Sequence, residues 1–219
     1  MSPVCTHIFV DFDGTITDCN TFEALARTAM DPYEWSYLEN QLESGEIGVA
    51  ASMERKASFV RMTLDEADEV LLHKVRFDSS FAGFASRCVC AGVELTVISA
   101  GIEPVIRKAL GRHGLSHVRV VANDLIVSSD KSWKMIFRDS VPNGLDKSAY
   151  VRAWQAQGGQ VVYMGDGHSD YEAAAHADVR VIKRNSPLER RLMALSLDYH
   201  PFRTFAELDP AILSKMLKN

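Results

Sequence analysis

Short apolar runs separated by longer amphipathic stretches set the rhythm of this chain. "HIFVDFD" (7–13), "ELTVIS" (94–99), "VRVVAND" (118–124), "QVVYMGD" (160–166) and "VRVIKR" (179–184) have the length of strands, and most lack strict alternation. Strands covered on both faces of a parallel sheet read this way. Between them the period lengthens. After "VISAG", Ile102, Val105, Ile106, Ala109 and Leu110 fall on one helical stripe. Strands alternating with helices predict an open α/β sheet.

Residues 18–79 break the alternation: consecutive helices are expected there, and no strand. Phe22, Leu25, Ala26 and Ala29 make one stripe behind "NTFE", a capping-box pattern. "PYEWSYLENQLESG" reads as a second helix and "GVAASMERKASFV" as a third; "TLDEADEVLLHKV" opens a fourth with Thr63 and Glu66 as its capping box. The expected division is a core of 1–17 and 80–219 and a small helical bundle of 18–79 inserted after the first strand. A segment that leaves the sheet there and returns at Phe81 is a candidate lid.

Composition narrows the function. The 219 residues are 47% hydrophobic, enough for a sizeable core. A net charge of -5 gives no diffuse basic surface, so no nucleic-acid partner is expected. No apolar run reaches membrane-spanning length, and "MSPVCTHIFV" lacks a leader's charged start, so a cytoplasmic location is expected. Cys5, Cys19, Cys88 and Cys90 do not have zinc-site spacing and read as buried or half-buried thiols in a reducing compartment.

The acids carry the candidate chemistry. Asp11 and Asp13, two apart in an extended segment, can face one site, followed by Gly14 and Thr15 with amides able to turn toward an anion. Ligands of open α/β sheets sit outside the carboxyl ends of strands. At other strand ends stand Ser99 with Ala100, and Asp166 with Asp170 around two glycines. Two acids at each of two strand ends suit a hard cation such as Mg2+. Asp170 also belongs to "SDYE", where Ser169 reads as a helix cap. Lys147 opens a helix, where a cation opposes the dipole unless an acid or a phosphate lies nearby.

In order, "DFDGTIT", "VISAG", Lys147 and "GDGHSD" resemble the four motifs of the haloacid dehalogenase-like (HAD) hydrolases, over nearly the whole chain. Within that family the helical insertion is similar to the cap of the phosphoserine phosphatase-like branch. "DFDGTIT" and "PYEW" look most like its methionine-salvage enol-phosphate phosphatases. The resemblance implies a Rossmann-like core and hydrolysis of a small phosphorylated metabolite through an aspartyl-phosphate. Asp11 would be the nucleophile, and Asp13 the general acid and then base. Asp11, the Asp13 backbone carbonyl and Asp166 would hold Mg2+, with Asp170 beside them. Ser99, Ala100, Lys147, Gly14 and Thr15 would hold the phosphoryl group. The second motif aspartate, Asp13, is absent from dehalogenating relatives, which favours a phosphatase.

Substrate choice should lie in 18–79. Gapless counting puts Asn20 and Lys56 where phosphoserine phosphatases carry Glu and Arg, so both are candidate substrate contacts. Asn20 also reads as a helix cap. Lys56 sits at the edge of an apolar face formed by Val49, Met53, Ala57 and Val60, equally suited to snorkelling. Phe22, Trp35 and Tyr37 read as core of the bundle, and His168 as site entrance or solvent-facing. The rival readings are phosphoserine phosphatase, phosphotransferase and a receiver-like phospho-acceptor that does not turn over.

Overall fold

The computed structural model describes residues 5–216; the reading of "MSPV" as the start of a leaderless chain lies outside them. The described residues form a seven-stranded sheet: β1 (Thr6–Val10), β2 (Glu94–Ile102), β3 (Arg119–Val127), β4 (Trp133–Ile136), β5 (Gln160–Gly165), β6 (Val179–Lys183) and β7 (His200–Phe202). Its order is β4-β3-β2-β1-β5-β6-β7, parallel except where β4 runs antiparallel to β3. The first strand therefore sits between β2 and β5, where the strand order reverses direction. Among the described residues no helix is long and apolar enough to cross a membrane.

The period of two along β1 explains both layers. Ile8 and Val10 pack with Phe81, Phe84, Ile106 and Leu110. Phe9 packs on the opposite face with Val151, Tyr163, Ala173 and Leu192. The first set comes from α5 (Phe81–Cys90) and α6 (Glu103–Arg112); in the second, Tyr163 belongs to β5 and the others to α7 (Lys147–Gln155), α8 (Tyr171–His176) and α9 (Pro187–Ala194). The last helix among the described residues is α10 (Pro210–Met216). With helices on both faces, β1 is buried throughout and β5 everywhere but at Gln160, as the unbroken apolar runs require.

Between β1 and α5 lie α1 (Thr21–Ala29), α2 (Pro32–Glu43), α3 (Val49–Ala57) and α4 (Leu64–Lys74), with isolated bridges and no strand. Local chemistry starts three of these helices, while α3 begins at Gly48 without a side-chain cap. The Asn20 side chain accepts from the Glu23 amide, Asp31 caps α2 ahead of Pro32, and Thr63 and Glu66 form a reciprocal capping box. The two connections to this insertion run side by side: Thr17 bridges Phe77, and Asp18 accepts from the Arg76 amide and guanidinium. Phe22, Leu25, Trp35, Leu38 and Leu71 pack down on Ile102, Val105, Leu125, Trp133 and Met135, so the insertion rests on α6 and the β3–β4 hairpin.

Several expectations change. β2 runs on through Ser99 and Gly101 to Ile102, with a register shift between Ile98 and Ile102 against β3. Strands β4 and β7 are too short to stand out in the pattern. Cys5 and Cys90 are exposed rather than buried, while Cys88 is buried and Cys19 half-buried; all four thiols are free. Tyr37 is half exposed, outside the bundle core, because it sits on the outer face of α2. Ser169 caps nothing. A 3-10 turn, His168–Asp170, precedes α8, and the amides of Asp166 and Gly167 ahead of it donate to Asp170.

Candidate active site

The backbone amide of Asp11 continues the β1–β5 ladder, donating to Met164 O at 2.8 Å, and this fixes the carboxylate beyond the carboxyl end of the sheet. Asp11 is buried, as is Lys147, whose Nζ donates to Asp11 Oδ1 at 2.7 Å and to Asp170 Oδ1 at 2.6 Å. Lys147 is the first residue of α7, and these two carboxylates offset the unfavourable helix dipole. Tyr163 Oη also donates to Asp170 Oδ1, and the amides of Asp166 and Gly167 donate to its Oδ2. A carboxylate has about four lone-pair sites. Those of Asp170 are all used.

The turn after β1 brings its acids against those after β5. Gly14 has φ 81°, and a Cβ there would stand 2.3 Å from Asp166 Oδ2. Only glycine allows both the conformation and the approach. Thr15 Oγ1 donates to Asp166 Oδ1 at 2.9 Å, and the Thr15 carbonyl accepts from Lys183 Nζ at 2.9 Å. Asp13 Oδ1 accepts from the amide and hydroxyl of Thr21, both at 2.8 Å, at the start of α1. The insertion is thereby tied to the acid beside Asp11.

At the end of β2, Ser99 Oγ accepts from the Gly101 amide at 3.0 Å, and the buried Asn123 donates to Ala100 O at 2.8 Å. A Cβ at Gly101 would meet Asp13 Oδ2 at 2.7 Å, so this glycine is the gap through which β2 approaches β1.

So many acids around one lysine resist ionisation. Burial, then Asp170 and Asp166, push the Asp11 carboxyl well above the usual carboxylate range, and the Lys147 charge opposes them. Burial raises Asp13 against the Thr21 hydrogen bonds. Burial and Asp170 push Asp166 up to about 6. Burial works against the charge of Lys147, but Asp11 and Asp170 outweigh it and hold the ammonium charged. Asp11, Asp166 and Asp170 each place a carboxylate oxygen within 4.8 Å of the others, a cluster of hard donors short of positive charge.

Above these groups is a cavity of about 570 Å³ between the sheet edge and the insertion. Of the residues singled out in the sequence, Asp11, Asp13, Gly14, Asn20, Lys56, Ser99, Ala100, Lys147, Asp166 and His168 line it. His168 is exposed at its edge. Thr15 and Asp170 lie fully buried beneath it. Asn20 spends its side chain on the cap of α1. Lys56 does not snorkel: it is 3% exposed and paired with Glu39. Thr21, Tyr163, Asn123 and Glu39 carry no signal of their own in the sequence, since each acts through a partner on another element, and Ser52 is marked only by its burial.

A family model of haloacid dehalogenase-like hydrolases matches residues 8–175. The chain belongs to this family. It is 30% identical to the Pdp3-interacting factor 1 of Schizosaccharomyces pombe, over 92% of each chain. It is 26% identical to the polyol phosphate phosphatase PYP1 of Saccharomyces cerevisiae, over 92% of this chain and 90% of the other. It is 28% identical to the 2-hydroxy-3-keto-5-methylthiopentenyl-1-phosphate phosphatase of Brevibacillus brevis, over 92% of each. Among solved structures, a phospho-aspartyl intermediate analogue of phosphoserine phosphatase superposes with a TM-score of 0.70 at 18% identity, covering 97% of this chain and 99% of that one. The likeness confirms the α/β HAD fold expected of the core. The HAD protein is a phosphatase, a phosphoric monoester hydrolase, and the reading as a receiver that does not turn over falls away.

Proposed function

We propose that this HAD phosphatase hydrolyses a small phosphate monoester through an aspartyl-phosphate on Asp11, with Mg2+ as cofactor. The observation that carries the reading is the buried Asp11–Lys147 pair at the floor of the cavity. Lys147 engages one Asp11 oxygen and leaves the other for attack on phosphorus in line with the ester oxygen. Asp13, held through Oδ1 by Thr21, protonates the departing ester oxygen with its second oxygen. The same carboxylate then takes a proton from the water that attacks the acyl phosphate, which frees phosphate and restores Asp11. Its raised pKa suits a group that must give and accept a proton near neutrality. Ser99, Lys147 and the amides of Gly14 and Ala100 would hold the phosphoryl oxygens.

The donor set fits Mg2+: hard carboxylate oxygens crowded around a single lysine. Asp11, the Asp13 carbonyl and Asp166 would hold the ion, which supplies positive charge against the phosphoryl oxygens. Asp170, with its lone pairs already used, serves to position Lys147 rather than to ligate. Residues 18–79 act as a cap over a core of 1–17 and 80–219. The names of the relatives, a polyol phosphate phosphatase and a hydroxy-keto phosphate phosphatase, favour a substrate with an uncharged, oxygen-rich tail.

The test is phosphate release from p-nitrophenyl phosphate and a panel of sugar, polyol and keto phosphates. Asp11→Asn should retain the fold and lose kcat by about three orders of magnitude or more. Chelation of Mg2+ should silence the wild type, and Mg2+ should restore it. A variant keeping a tenth of the activity would remove Asp11 as nucleophile.

A further inference from the structure

On α3, Ser52 and Lys56 are one turn apart and both face the cap side of the cavity. Their states differ. Lys56 Nζ lies 2.5 Å from Glu39 Oε1 on α2 and 4.3 Å from the centroid of the Trp35 ring, with its side chain only 4% exposed. Ser52 Oγ is buried and has no hydrogen-bond partner. We propose that Glu39 cancels the charge of Lys56, so that the cavity selects phosphate esters with an uncharged, hydroxyl- or carbonyl-bearing tail and rejects those ending in a carboxylate.

The inference rests on the phosphatase reading of this site and adds a specificity residue, Glu39, which acts through Lys56. A buried ammonium needs an anion beside it. Glu39 is that anion, tethered one helix away, so a substrate carboxylate could reach the lysine only by displacing it. Glu23, also on the cavity wall, adds a second negative group against such a tail. Beside Lys56 on α3, what the wall offers the tail is neutral: the Ser52 hydroxyl and the apolar surfaces of Val49 and Met53, with Phe22 and Leu42 nearby on the same wall. An unpaired buried hydroxyl is costly, and a hydroxyl or carbonyl of the ligand would remove that cost. The same wall gives a carboxylate nothing comparable.

Two substrates of equal length separate charge from size: glycerol 3-phosphate and 3-phosphoglycerate. The measured quantity is the ratio of their kcat/KM values, with p-nitrophenyl phosphate as a reference that carries neither a hydroxyl nor a carboxylate for the cap to read. Wild type should favour glycerol 3-phosphate. Glu39→Gln frees the lysine and should move the ratio toward 3-phosphoglycerate by about tenfold or more, through KM, with p-nitrophenyl phosphate turnover retained. The double variant Glu39→Gln/Lys56→Met has no charge on either partner and should return the ratio to the wild-type value. An unchanged ratio in a folded Glu39→Gln would overturn the proposal, as would the same shift in the double variant, which would mean a change of shape. Should Glu39→Gln not fold, the double variant still decides. Relative loss of 3-phosphoglycerate turnover would show that Lys56 reads the tail in wild type, against the proposal, and a wild-type ratio would support it. Release of phosphate from none of the three substrates with Mg2+ would instead defeat the phosphatase reading, and this inference with it.

Discussion

Single atoms set the tolerances of this site. Gly14 is the clearest case, because two constraints meet there: a φ of 81° and the oxygen of Asp166 2.3 Å from a would-be Cβ. Gly45 has a similar φ of 75° with nothing within 4 Å, so it isolates the backbone effect. Gly45→Ala should cost about 1–2 kcal/mol in urea unfolding and leave kcat alone. Gly14→Ala should cost more and lower kcat on p-nitrophenyl phosphate by about a hundredfold, since misplacing a reacting group by 1 Å is worth that much. Equal kcat losses in the two variants would show that the contact with Asp166 is unimportant. Asp11 and Asp166 were readable because the motifs put acids at strand ends. The groups that hold their neighbours were not: Thr21 bonds Asp13, Tyr163 bonds Asp170 and Lys183 bonds the Thr15 carbonyl, each from a different element.

Among the elements, the least legible strand matters most to the insertion. Only four residues long, β4 alternates buried and exposed positions, with Trp133 and Met135 turned under α1–α4. Trp133 Nε1 donates to the Met62 carbonyl at 2.7 Å, in the segment between α3 and α4. Trp133→Phe keeps most of the ring and removes that bond. It should destabilise by about 1–3 kcal/mol, the range for a buried acceptor left unpaired. Amide exchange should quicken at Arg61–Thr63 and stay slow in β1. Uniform acceleration throughout the chain would show instead that insertion and sheet open as one unit. By contrast, three helices of 18–79 were legible from caps at Asn20, Asp31 and Thr63, which act within four residues of the ends they stabilise, and the uncapped α3 from its apolar stripe.

For the whole molecule, pH acts through buried groups of opposite sign. His7 on β1 is buried beside Phe9 and Trp154, and burial, with Arg119 second, lowers its pKa to about 4. Its folded value lies below the ordinary 6.5, so its contribution is complete above pH 6.5 and is lost as pH falls toward 4. Asp166, raised to about 6, runs the other way: its contribution is present at low pH and is lost as pH rises from about 4 to 6. Over that window the two slopes oppose each other in the metal-free protein. His7→Gln should expose the acid's slope. Between pH 4.5 and 6.0 in chelator, unfolding free energy should change by about 2 kcal/mol less favourably in the variant than in wild type, from 1.36 kcal/mol per pH unit. Parallel pH profiles for the two proteins would mean that His7 is not held neutral by the fold.

The local signals in this chain determined a good deal alone. Unbroken apolar runs implied strands covered on both faces, and the 3.6-residue stripes implied the covering helices. Aspartates two apart at a strand end implied one acidic site. These inferences hold because they depend on neighbours within a few residues, where backbone geometry fixes direction. The tertiary structure decided what depends on convergence. It showed that β1 stands where the strand order reverses, which brings the Asp166 turn onto Gly14. Asp170 proved to be saturated by four donors, and Lys56 is not open to solvent but paired with Glu39. A charge's role depends on what lies within a few ångströms of it, and that distance is set by packing of elements far apart in the chain.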